Sequence, residues 1–164
     1  MKGLILYRSH YGNTKQVAEA IAGEVRAEGH EAEVRDLRRK GFPDLSGIDF
    51  VVIGAPTRMA RVTRKAKGAL KRLKKRGFGA RPVAVFDTYG PVPTNPAELE
   101  KGRKWLYPGA AGIMEKLARD LGLNVYRNSL RCEVKDLKGP IKEGELDRAA
   151  EFAKEFLASI GSAA

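Results

Sequence analysis

At 164 residues, with 43% hydrophobic and 31% charged residues, the chain fits one domain with a packed core and a soluble surface. No apolar run reaches the length of a membrane span, and the single cysteine, Cys132, excludes an internal disulfide framework and suits a reducing cytoplasm. The net charge of +11 is concentrated: Arg58, Arg61, Arg64, Lys65, Lys67, Lys71, Arg72, Lys74, Lys75 and Arg76 follow one another without an acid between them, and the rest of the chain is nearly balanced.

The apolar run from Gly3 to Arg8, too short for a signal peptide, predicts a buried first strand. The polar loop Ser9-His10-Tyr11-Gly12-Asn13-Thr14 follows. Val17, Ile21 and Val25 then recur every four residues, which predicts a helix from Thr14 that Gly29 ends. Ala32 and Val34 alternate with charges, as on a half-exposed edge strand; Arg38 to Gly47 reads as irregular; Phe50 to Gly54 reads as a buried strand. Val62, Ala66, Ala69, Leu70 and Leu73 share one helical face, with the basic side chains between them, and this helix ends near Gly77. Pro82 to Asp87 is the next strand. Four prolines between residues 88 and 109 predict a long loop with at most a short helical turn; Trp105 in it either folds over the site or anchors the loop to the core, and the anchor is the favoured reading. Ile113 to Leu121 is a helix ended by Gly122. Asn124 to Val134 is a strand with a break near Asn128, and Leu146 to Ile160 forms the last helix. Strands alternating with helices predict a parallel sheet covered on both faces.

The first loop carries chemistry. Ser9, Tyr11 and Thr14 supply hydroxyls, Gly12 allows a tight turn, and the following helix presents unpaired N–H groups with its positive dipole end. That set suits one phosphate. An ordinary strand-to-helix turn with Thr14 as N-cap explains the same residues, and spacing alone does not separate the two.

The opening Leu4-Ile5-Leu6-Tyr7 with Ser9-x-Tyr-Gly-Asn-Thr14 and Val17-Ala18 resembles the start of flavodoxin-like FMN proteins. Gly54-Ala55-Pro56-Thr57-Arg58 is similar to the Pro-Thr-Arg loop of flavodoxin-like NAD(P)H:quinone oxidoreductases, and Asp87-Thr88-Tyr89-Gly90 follows the fourth strand as a third such loop. The resemblance implies a three-layer, doubly wound, five-stranded parallel sheet of order 2-1-3-4-5, with residues 1–164 as a single FMN-binding domain. It implies that Ser9, His10, Tyr11, Gly12, Asn13 and Thr14 hold the FMN phosphate. Pro56, Thr57, Arg58 and Met59 would then run along one side of the flavin ring. Asp87, Thr88, Tyr89 and Gly90 would line the other, with Tyr89 stacked on it. The second loop departs from flavodoxins in having Arg58 and Met59 where an aromatic residue is usual.

Redox chemistry would belong to the cofactor, so no catalytic side chain and no metal ligand is assigned. His10 and His30 read as loop residues, and Cys132 as packing. The unrelieved basic run predicts a functional face. An electron carrier would dock an acidic redox partner there. An FMN-dependent oxidoreductase, of the quinone reductase or protoporphyrinogen oxidase kind, would use it toward NAD(P)H or an anionic substrate. A non-redox binding module is a third reading. Nucleic acid is disfavoured, because no aromatic side chain lies within the run to stack bases.

Overall fold

The computed structural model describes residues 1–163 and shows β1 (Lys2–Tyr7), α1 (Asn13–Ala27), β2 (Glu31–Asp36), β3 (Phe50–Pro56), α2 (Arg64–Lys75), β4 (Pro82–Tyr89), α3 (Pro96–Leu106), α4 (Gly109–Asp120), β5 (Asn124–Val125), β6 (Leu130–Glu133) and α5 (Glu145–Ala163). All sheet pairings are parallel, in the order β2-β1-β3-β4-β5, with β6 also on β4.

Alternation along each central strand feeds two cores. Ile5, Tyr7, Phe50, Val52, Ala84 and Phe86 pack beneath α1 and α5, against Val17, Ile21, Phe152 and Phe156. Leu4, Leu6, Val51, Ile53, Val83 and Val85 pack beneath α2 and α4, against Leu70, Leu73 and Met114. Gly54 is required where it stands, because a Cβ there would collide with the Phe86 ring.

β5 and β6 are two halves of the expected last strand. Val83 pairs with Val125, but Phe86 pairs with Leu130, so the chain leaves the ladder between them. Tyr126 is part of that excursion and packs on Phe156, with ring centroids 5.2 Å apart. The break expected near Asn128 is present and has a packing cause.

Three expectations change. Thr14 does not cap the first helix: Gly12 holds the N-cap position in the left-handed region, and Thr14 lies inside α1. Residues 96–106 form a full helix, α3, rather than a loop. The Asn95 side chain accepts from Ala97 N–H at 2.9 Å, Pro96 opens the first turn, and Arg103 and Lys104 lie in the last. Only Leu106 of α3 is buried, so no apolar period announced it. Leu106 is also the anchor; Trp105 is 47% exposed.

Candidate functional site

The ends of β1, β3, β4 and β6 converge at the carboxyl edge of the sheet, where open α/β sheets place their ligands. A groove there is lined by Ser9, His10, Tyr11, Asn13, Thr14, Pro56, Thr57, Arg58, Thr88, Tyr89 and Gly90, together with Val134 and Leu137. Three separate sequence loops thus meet in one place.

The first loop is tightly built. Gly12 turns with φ 91° and donates its N–H to Ser9 Oγ at 2.9 Å. Ser9, Asn13 and Thr14 are buried, and Thr14 Oγ1 bonds Thr88 Oγ1 at 2.8 Å, which ties the loop to the end of β4. No side chain caps α1. Its first-turn N–H groups therefore have no intrahelical acceptor, and they lie beside the hydroxyls of Ser9 and Thr14 at the groove. No acid lies in that turn. This donor set fits a phosphate monoester.

The other two loops are fastened to each other. Thr57 N–H donates to the Thr88 carbonyl at 2.8 Å. The Thr57 hydroxyl donates to Asp87 Oδ2 at 2.7 Å and accepts from Ala110 N–H at 2.7 Å. Asp87 also accepts from Ala111 N–H at 3.1 Å and from Arg131 Nε at 2.9 Å. The Asp87 carboxylate thus lies at the N-terminus of α4, fully buried, and faces away from the groove. Burial pushes its carboxyl up, against the opposing pull of Arg131 and Thr57. The expected flavin-lining role of Asp87 is corrected to a positioning role: it holds Thr57 and the start of α4.

Met59 stands 75% exposed, in a cleft that adjoins the groove and shares Thr57, Arg58 and Gly90 with it. Tyr89 lines the groove as expected, but Arg131 lies 3.9 Å from its ring centroid, and Tyr107 meets it edge-on at 6.2 Å. Burial and the neighbouring Tyr107 push the Tyr89 phenol up to about 12, so it stays neutral. His10 is held below the ordinary histidine range by partial burial and by Arg8, Arg58 and Arg38. Tyr11 projects between cations, with Arg58 at 6.0 Å and Lys138 at 5.9 Å from its ring.

Sequence reasoning missed Arg131, Val134 and Leu137. The loop after β6 reaches the first loop across the sheet edge: a Cβ at Gly139 would press on the Asn13 amide. Lys138-Gly139-Pro140 marks a turn in the sequence, but nothing local says which loop it meets.

The ten basic residues of 58–76 are all exposed, and none forms an ion pair among the described residues. Arg72 and Arg76 lie over the Phe42 ring, at 5.7 and 5.3 Å. Arg58 lies 6.0 Å from the Tyr11 ring, and the other cations of the run are exposed.

A doubly wound parallel sheet with an uncapped glycine-turned helix start at its carboxyl edge defines a nucleotide-type α/β binding protein. Residues 4–106 match the family described as a flavodoxin domain. The chain belongs to the flavodoxin family, whose cofactor is FMN, and the donor set of the first loop fits that cofactor's phosphate. It is similar to protoporphyrinogen IX dehydrogenase [quinone] of Escherichia coli (strain K12), 38% identical over 58 residues, 35% of this chain and 32% of that protein. It is also similar to a flavodoxin of Aquifex aeolicus (strain VF5), 34% identical over 67 residues, 40% of this chain and 36% of that one. The matched stretch is about a third of each relative's length. A flavodoxin from the domain Archaea shares the fold, with a TM-score of 0.76 at 18% identity over 98% of this chain and 99% of that one. Among the described residues no helix is long and apolar enough to cross a membrane, and no three His, Cys, Asp or Glu side chains are grouped as metal ligands.

Proposed function

We propose that this chain is an FMN-dependent electron-transfer protein whose basic face, from Arg58 along α2, docks an acidic redox partner. Ser9, Tyr11, Asn13, Thr14 and the first-turn N–H groups of α1 would hold the phosphate. Pro56, Thr57 and Arg58 would lie along one side of the ring, with Thr88, Tyr89 and Gly90 along the other. FMN when bound supplies the electron-accepting and electron-donating chemistry. The protein orients it and sets its electrostatic surroundings. The observation that carries the reading is the convergence of three loops on an uncapped helix N-terminus, with a row of unpaired cations starting at the rim. A cation row of this kind speeds encounter with an oppositely charged partner and makes that encounter sensitive to salt.

A second reading is an FMN-dependent oxidoreductase. It is supported by the apolar cleft that adjoins the groove, a feature that a pure carrier does not need. The cytoplasm remains the proposed location, on the strength of the unpaired, buried Cys132.

Titration of the purified protein with FMN tests the shared premise, with saturable binding expected and a failure to bind overturning it. Anaerobic mixing of the FMN-loaded protein with NADPH and a quinone then separates the readings. Absence of flavin bleaching supports the carrier; bleaching followed by turnover supports the oxidoreductase. Reversal of Lys71, Arg72, Lys74 and Lys75 to Glu is expected to slow association with an acidic partner and flatten its salt dependence. Unchanged rates would reduce α2 to a solvated face.

A further inference from the structure

The connection from β2 to β3 differs from the others. Residues 37–49 join the two strands without a helix, whereas the other crossovers carry α1, α2 and α4. A hollow of about 260 Å³ lies on the α2 side of the sheet, over Leu6 and between that connection and α2. Its volume falls just below the range of sites for drug-sized ligands, so it suits a smaller molecule. No residue lines both this hollow and the groove, and none of its walls comes from the loops after β3 and β4. Gly68 of α2 stands in its wall, and a Cβ built there would meet nothing within 4 Å. Glycine in a helix interior costs stability relative to alanine, and no close approach requires it here. Its effect is to keep the hollow open.

The lining is cationic. Arg35, Arg64, Lys65 and Arg72 contribute to it, and none of the four forms an ion pair among the described residues. The one lining carboxylate, Asp36, is already held by Arg38, whose Nε and Nη2 donate to it at 3.0 and 2.8 Å. Like charges gathered around a concavity repel one another unless an anion lies between them. Arg64 and Lys65 also stand in the first turn of α2, where the positive end of the helix dipole disfavours cations, and no acid in that turn offsets them. Phe42 is half-buried in the wall, and the Arg72 guanidinium lies 5.7 Å from its ring, a cation–π contact that steadies this side chain. With Leu37 and Pro43, Phe42 supplies an apolar surface.

We propose that this hollow binds a small phosphate monoester, with its phosphate among Arg35, Arg64, Lys65 and Arg72 and its organic part against Leu37, Phe42 and Pro43. Guanidinium forks match phosphate oxygens in paired hydrogen bonds, and three of the four cations are arginines. A phosphate dianion there offsets both the mutual repulsion of the cations and the unfavourable first turn of α2. A concave site of this volume takes a small molecule, whereas a protein surface would meet the outward cations Lys67, Lys71 and Lys75, which lie outside the hollow. The site is independent of the flavin reading, because it shares no wall with the groove.

The test titrates phenyl phosphate into the protein by calorimetry at low ionic strength, with and without saturating FMN, and uses inorganic phosphate and benzyl alcohol as controls. Phenyl phosphate is expected to bind at least tenfold more tightly than either control and to keep its affinity when FMN is present. Arg35→Gln with Arg72→Gln is expected to weaken it at least tenfold. Lys74→Gln with Lys75→Gln removes the same charge outside the hollow and is expected to weaken it less than twofold. Gly68→Leu fills the hollow without changing charge. It is expected to abolish ester binding while raising the melting temperature, a pairing that damage to the fold would not produce. Equal losses in the two double variants, or wild-type affinity in Gly68→Leu, overturn the proposal. So do displacement of the ester by FMN and equal affinity for inorganic phosphate. Absence of ester binding also overturns it and leaves the cations to a protein partner. Ester binding at the hollow without FMN uptake would leave this site standing while the flavin reading fell.

Discussion

Asp87 and Arg131 sit beneath the site and bear no resemblance to surface ion pairs. Asp87 is fully buried, and the Arg131 guanidinium, held beside the Tyr89 and Tyr107 rings, has two buried nitrogens with no hydrogen-bond partner. Only its Nε reaches the carboxylate. Removing one member of a buried pair strands the other, at a cost of about 3–5 kcal/mol. Arg131→Met is therefore expected to lower the urea midpoint markedly and to loosen Thr57, which Asp87 holds. A midpoint near wild type would show that the pair is dispensable. His10 supports a pH prediction. Its folded-state pKa is lowered from 6.5, so the unfolded chain binds the proton more readily, and this residue's contribution to stability falls as pH drops below about 6.5. A phosphate dianion placed beside it favours the protonated ring. The imidazole resonances of His10 are expected to titrate below 6.5 without FMN and to move upward once FMN is bound. Cys132 adds no reactivity, because burial pushes its thiol up to about 12.

At the scale of elements, α2 departs furthest from an average helix. Its buried face, Ala66, Ala69, Leu70 and Leu73, packs well, and the Thr63 hydroxyl accepts from Ala66 N–H at 3.4 Å. Its exposed face sets like charges four residues apart, Lys67 with Lys71 and Lys71 with Lys75, each such pair costing about 0.2–0.5 kcal/mol. Lys71→Glu turns both pairs into attractive ones. It is expected to raise the melting temperature slightly while weakening association with an acidic partner. A mutation that improves the helix and harms the encounter would show that the repulsion is tolerated for function. A loss of stability would instead mean that Lys71 has a structural partner. The helix α3 gives the opposite lesson: its start is marked by Asn95-Pro96, but with Leu106 alone buried it lacked the period by which the other helices were recognised.

For the whole molecule, FMN binding and folding are linked. A ligand that binds only the folded state at a hundredfold excess over its dissociation constant stabilises it by about 2.7 kcal/mol. Thermal melts with and without FMN are expected to separate by several degrees, with the shift growing with FMN concentration. A melting temperature independent of FMN would contradict the site. The joining of loops seen here explains why the effect should be global. Thr14 to Thr88, Thr57 to Asp87 and Asp87 to Arg131 connect β1, β3, β4 and β6, so a ligand gripped by three loops braces the central sheet.

Much of this was legible in the sequence, because local periodicity reports burial directly. The strands at Gly3, Phe50 and Pro82, the faces of α1 and α2, and the glycines ending helices all follow from which side chains must leave water. The phosphate loop was legible as chemistry, since hydroxyls, Gly12 and a helix start act within six neighbouring residues. Contacts between distant segments carry no such local mark. That Asp87 points into the core rather than the groove was decided by Arg131, forty-four residues away. That Met59 stands exposed at the rim was decided by a turn closing Arg58 on Arg61. That Trp105 stands at a cleft while Leu106 is buried was decided by the way α3 settles against the sheet edge. The amino-acid sequence by itself determined the layers, their order and a phosphate-shaped loop, because those depend on burial and on backbone chemistry over a few residues. Only the tertiary structure decided which loop side chains face the groove at the sheet edge and which support it from behind, because those outcomes depend on charges and surfaces brought together by the whole fold.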